Sequence, residues 1–151
     1  MGKYANASKR TPKFSSDTYR DDWVYVGRSI FIKGHGLFAA ARYVKGDVIQ
    51  EYKGEKISDK QADFVSGYCK KYLFDVNVKN KTIFVINSCD KSKSSAARYI
   101  NSTLNYTDTR RNAHFVQYKK KIYIVATKTI PIDKEILAFY GPYTFGVIHS
   151  T

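Results

Sequence analysis

Three clusters in this 151-residue chain place residues where chemistry is possible. In Gly34-His35-Gly36, two glycines flank one side chain. A backbone of that kind can pass close to a ligand and take up positive φ without interference from Cβ. Lys33 and His35 stand beside it, and the same residues also suit an ordinary turn between Ile32 and Leu37. In Arg98-Tyr99-Ile100-Asn101-Ser102, the amide of Asn101 offers a donor and an acceptor together. A polar loop after a strand would read the same way. In Glu135-Ile136-Leu137-Ala138-Phe139-Tyr140-Gly141, an apolar strand ends on a phenol, which can orient a partner group through its oxygen. The plainer alternative is an aromatic that closes a strand.

The elements that must carry these clusters are short strands. From Trp23 onward, apolar runs are broken by Gly, Asn, Asp and Lys turns. The pattern predicts strands at Val24 to Val26, Ser29 to Lys33, Leu37 to Ala40, Val48 to Tyr52 and Tyr72 to Val76. Four more follow at Thr82 to Ile86, Ala113 to Tyr118, Ile122 to Thr127 and Glu135 to Tyr140. The pair Ala113 to Tyr118 and Ile122 to Thr127 reads as a hairpin turning at Lys119 to Lys121. Both faces of its second strand are apolar, which implies a central strand. Ser58 with Gln61 fits a capping box, with Ala62, Phe64 and Val65 as the buried side and Gly67 as a stop. A second short helix is expected at Ser94 to Arg98. The segments at Val44 to Ile49 and Ile132 to Leu137 read as two similar hairpin turns. Alternating βαβ units are absent, which disfavours a doubly wound nucleotide-binding architecture.

Composition narrows the class. The chain is long enough for one domain with a real core, and 43% of it is hydrophobic. Residues 1–21 read as a flexible basic arm and 22–151 as the folded domain. No run reaches the roughly 18 apolar residues of a membrane helix, so the expectation is an intracellular soluble protein. Cys69 and Cys89 are too few and too isolated for a metal site and are expected as separate thiols. The net charge is +13, with lysines and arginines gathered at Lys79 to Lys81, Lys91 to Lys93, Arg110-Arg111 and Lys119 to Lys121. Such an excess draws polyanions.

In this order, the three clusters resemble the SET domain. Leu37-Phe38-Ala39, Lys45-Gly46-Asp47 and Glu51-Tyr52-Lys53-Gly54-Glu55 extend the likeness, which spans roughly residues 27 to 143. The resemblance implies a mostly β fold with short helices, built from several small sheets with a pseudoknot-like C-terminal crossing. It implies a protein-lysine N-methyltransferase that uses S-adenosylmethionine, most naturally on a histone H3 tail. Tyr140 then takes the catalytic tyrosine position, and Tyr72 lines the lysine channel. Lys33, Gly34, His35, Gly36, Tyr72, Arg98, Asn101, Ser102 and Tyr140 then form the cofactor site, with no metal. The implied partners are a lysine-bearing peptide and, for the basic surface, nucleosomal DNA. No membrane is implied; the location is nuclear or chromatin-associated, and the protein is a monomer or homodimer.

The chain also departs from the family pattern. Ser102 stands where the family has His, Arg111 where it has Pro, Phe139 where it has Asp, and Ala138 where it has a large aromatic. A small residue at 138 leaves room for more than one methyl unless Tyr123 or Phe115 fills it. Ser102 and Phe139 favour an alternative, a catalytically inactive module that binds chromatin or a peptide.

Overall fold

Short apolar runs separated by tight turns produce strands too brief for one large sheet, and among the described residues three small sheets result. The computed structural model describes Ala5–Asn6 and residues 22–140. Its strands are β1 (Ala5–Asn6), β2 (Val24–Arg28), β3 (His35–Ala39), β4 (Val48–Glu51), β5 (Glu55–Ile57) and β6 (Leu73–Val78). They continue with β7 (Lys81–Asn87), β8 (Asn101–Ser102), β9 (Ala113–Tyr118), β10 (Lys121–Ala126) and β11 (Glu135–Ala138). The sheets run in the orders β1-β6-β7-β5, β4-β10-β9 and β2-β3-β11-β8.

The hairpin β9–β10 forms as its alternation implies, from Lys121 opposite Tyr118 to Ala126 opposite Ala113. β10 is central, between β9 and β4. Its two faces enter different clusters. Ile122, Ile124 and Ala126 join the main core with Leu37, Ile49, Tyr52, Phe74 and Ile136. Tyr123 and Val125 pack with Val48 and Val116 instead.

The crossing that shapes the site is made by β11. It pairs antiparallel with β3 through Glu135 and Ile136, and parallel with β8 through Leu137 and Ala138. Asn112 pins it there: Leu137 N–H donates to Asn112 Oδ1 at 2.8 Å, and Asn112 Nδ2 donates to the Glu135 carbonyl at 2.9 Å. Both bonds are buried, where an unmet backbone group would be costly.

Several expectations need correction. Residues 29–33 are a bent loop, not a strand. Ser29 Oγ accepts from the N–H groups of Phe31 and Ile32, and such local bonding displaces a strand ladder. The Ser58–Gln61 capping box is present, but its helix, α1, covers only Asp59–Ala62. Gly67 opens a 3-10 helix, Gly67–Tyr72, and stops nothing. Ala62 is buried as expected, whereas Phe64 is exposed. One helical turn cannot present a full apolar stripe. The second short helix is also a 3-10 turn, Ala96–Tyr99. The two similar turns differ in detail, since the positive φ falls at Gly46 in one and at Asp133 in the other. Of the N-terminal arm, Ala5–Asn6 pairs with Phe74–Asp75; the remainder of that expectation lies outside the described residues.

The two cysteines are joined in a disulfide, with Cα atoms 5.4 Å apart. The expectation of separate thiols is corrected by strand register. Leu73 lies opposite Asn87, and Ser88 N–H donates to the Tyr72 carbonyl, so residues just beyond both strand ends converge. Cross-linking positions 20 residues apart restricts the unfolded chain by about 3 kcal/mol. Urea unfolding of the Cys69→Ser/Cys89→Ser variant should therefore show a loss of about that size relative to the oxidised protein. Dithiothreitol should lower the parent to the same level and leave the variant unmoved.

Candidate active site

β3, the Ala96–Tyr99 turn, β8 and the residues after β11 converge on one cleft of about 510 Å³. Lys33, Gly34, His35, Tyr72, Arg98, Asn101, Ser102 and Tyr140 line it together with Tyr68, Lys71, Lys91 and Tyr99. Three motifs distant in sequence thus share one cavity. Of the nine expected cofactor-site residues, only Gly36 is not in the lining.

The two glycines do different work. Gly34 has φ +136° and open space around it, so a ligand can approach its backbone. Gly36 is buried, and an added Cβ would collide with the Glu135 carboxylate and come within 3.2 Å of Asn101 Nδ2. Its role is close packing. Gly36→Ala should cost about 3 kcal/mol of stability through overpacking and displacement of a buried carboxylate, read as a lowered thermal midpoint.

Glu135 is the organising residue that the sequence motifs underplayed. It is buried and accepts from Ser29 Oγ at 2.8 Å, from Ile30 N–H at 3.1 Å and from Asn101 Nδ2 at 3.0 Å. Asn101 Nδ2 also donates to the His35 carbonyl at 2.9 Å. One carboxylate on β11 thereby ties the 29–34 loop to β8. An acid heading an otherwise apolar buried strand was the available signal.

Arg98 is a positioning residue here. Its side chain is buried, and Nε and Nη2 donate to the carbonyls of Ser88 and Cys89 at 2.9 and 3.0 Å. The guanidinium lies 4.4 Å from the Tyr72 ring centre and 4.9 Å from that of Tyr99, a cation–π arrangement that props both rings. Arg98 lines the cleft as expected, with Nε and Nη2 engaged by backbone carbonyls. Ser102 Oγ donates to the Thr103 carbonyl and accepts from Tyr140 N–H at 3.1 Å, so it also fixes the chain where β11 gives way to Tyr140.

Tyr140 places its hydroxyl 2.6 Å from the Ile100 carbonyl, to which it donates. Its ring meets Phe115 edge to face at 5.3 Å, within an aromatic group that includes Tyr52 and Phe74. Burial first, then the neighbouring Tyr52 and Tyr72, hold the phenol well above its ordinary pKa, with Arg98 opposing. A neutral phenol whose proton is committed to a carbonyl presents oxygen lone pairs as acceptors. Beside it, Ala138 is buried with a small side chain; Phe115 packs against this region, and Tyr123 lies in the other cluster.

The cleft lining carries Lys33, Lys71, Lys91 and Arg98 and, among the described residues, no Asp or Glu. That balance suits a ligand with an anionic end.

β11 thus lies between β3 and β8, and Tyr140 lines the same cleft as Gly34 and Asn101. The SET-domain family model matches residues 34–141, more than half of the chain, and the chain belongs to that family. No curated protein matches the sequence. Among solved structures, the chain is similar to the methyltransferase domain of human PR domain-containing protein 2. The identity is 21%, the TM-score 0.64, and 89% of each chain is covered. At this identity the likeness is one of fold.

Proposed function

We propose that the protein is an S-adenosylmethionine-dependent protein-lysine N-methyltransferase acting on a histone tail, with histone H3 the leading substrate. The observation that carries the reading is the Tyr140 hydroxyl, held by the Ile100 carbonyl in the cleft rimmed by Gly34 and Asn101. The donor set fits the cofactor: exposed backbone at Gly34 and His35 can meet its amino-acid end, and Lys33 suits its carboxylate. Bound S-adenosylmethionine supplies an electrophilic methyl on a sulfonium.

The chain's own residues must then present a neutral lysine amine. Removing a proton from a free lysine near pH 7 costs roughly 4–5 kcal/mol. An apolar channel walled by aromatic rings lowers that cost by penalising the charged form. Tyr140 accepts a hydrogen bond from the amine and aligns it, and Tyr72 walls the approach. Catalysis is then positioning and electrostatics. The small Ala138 favours more than one methyl per lysine.

Methylation of a histone peptide array, read by mass, tests substrate and methyl number together. The second reading, a binding module without turnover, is favoured by Ser102 and Phe139. Titration calorimetry with S-adenosylmethionine separates the two, because absence of heat up to millimolar concentration leaves only the module. Among the described residues no helix is long and apolar enough to cross a membrane. A chromatin location follows from the proposed substrate.

A further inference from the structure

The strongest unexplained feature lies outside the cleft, at the tips of two hairpins. β6–β7 turns through Lys79 and Asn80, and β9–β10 through Lys119 and Lys120. Both are two-residue turns with positive φ at both central positions: 51° and 65° in the first, 48° and 64° in the second. Such turns are served best by Asn-Gly, because a Cβ is disfavoured in the left-handed region. Here three of the four positions hold lysine.

The two hairpins are also fastened together. Asn77 N–H donates to Gln117 Oε1 at 2.9 Å, and Gln117 Nε2 donates back to the Asn77 carbonyl at 2.7 Å. Asn77 and Gln117 occupy equivalent positions, each one residue before its strand's end, so the two hairpins are joined next to their turns. Lys79, Lys81, Lys119, Lys120 and Lys121 are all exposed there. Among the described residues, none of the five pairs with a carboxylate. None lines the cleft.

We infer that these joined tips are a docking surface for the phosphate backbone of duplex DNA. Lysines are compact point charges without a planar fork, which suits phosphates and not base edges. Tyr118 is half-buried with the Lys119 ammonium 5.4 Å from its ring, so the tips offer no bare aromatic platform for single-stranded bases. Neither turn carries an exposed Leu, Phe or Trp to enter a lipid layer. Lysine occupies these left-handed positions against backbone preference, which marks its charge as the useful property. The inference does not depend on methyl transfer.

The test uses the whole protein and a random-sequence duplex of about 20 base pairs, followed by fluorescence anisotropy across a salt series. Lys119→Asn/Lys120→Gly should weaken binding about tenfold at low salt and flatten the salt dependence by about 0.9 in log–log slope per lost contact. The same variant should melt at a higher temperature, because Asn-Gly fits the turn. Lys81→Gln/Lys121→Gln, which leaves both turns intact, should weaken binding similarly with an unchanged melting temperature. Unchanged affinity and slope in both variants would overturn the proposal. So would tighter binding of oligo-dT or of phosphatidylserine vesicles than of the duplex.

Discussion

Tyr140→Phe should abolish methyl transfer to a histone peptide, a loss of at least about 100-fold in kcat, while cofactor affinity stays within a few-fold. The variant keeps the ring on Phe115 and removes one hydroxyl, so the packing is retained and the Ile100 carbonyl loses one donor, at a cost of about 1–2 kcal/mol in stability. In the proposed mechanism the lost group is the oxygen that accepts from the substrate amine. Loss in kcat with little change in cofactor binding is the signature of such a contact. Single-turnover kinetics with calorimetry on the same preparation checks both halves, and normal turnover would remove Tyr140 from the mechanism. The pH profile adds a sign. Burial keeps the phenol protonated well past its ordinary range, so the rate should rise with pH as the substrate lysine loses its proton. It should show no decline near pH 10 from phenolate formation.

The second large effect concerns stability. Glu135→Ala should destabilise the fold by about 3–5 kcal/mol, because it removes the acceptor shared by the 29–34 loop and β8. The Ser29 hydroxyl and the Ile30 N–H lose their acceptor, and the Asn101 amide keeps only the His35 carbonyl. The effect should extend to the cofactor, since the 29–34 loop is held against β8 by this carboxylate. Asn101→Ala removes one arm of the network and should cost only about 1–2 kcal/mol. Denaturant unfolding of both variants distinguishes a shared node from separate contacts. Equal losses would show that Glu135 has no special place.

The motifs were legible because each depends on neighbours in the chain. The capping box at Ser58 and Gln61 and the β9–β10 hairpin came out where pattern put them, whereas of the glycine pair Gly34 lines the cleft and Gly36 packs inside β3. Local pattern failed where a side chain chose a distant partner. Residues 29–33 are apolar enough to read as a strand, yet Ser29 bonds to its own loop and to Glu135. Arg98 lines the cleft where its motif put it, but its guanidinium also serves the Ser88 and Cys89 carbonyls. Nothing near either residue in sequence announces those partners.

Sequence alone therefore determined the strand-rich class and the family resemblance, and it named eight residues that line one cleft. Side-chain alternation, turn chemistry and glycine freedom act over a few residues and can be read in order. Tertiary structure alone decided that Glu135 is the node, that Cys69 meets Cys89, and that Gln117 joins one lysine-tipped hairpin to the other. Each of these depends on strand register, on which strand lies beside which and how far it has slid. That is a global balance of burial and hydrogen bonding which no local stretch encodes by itself.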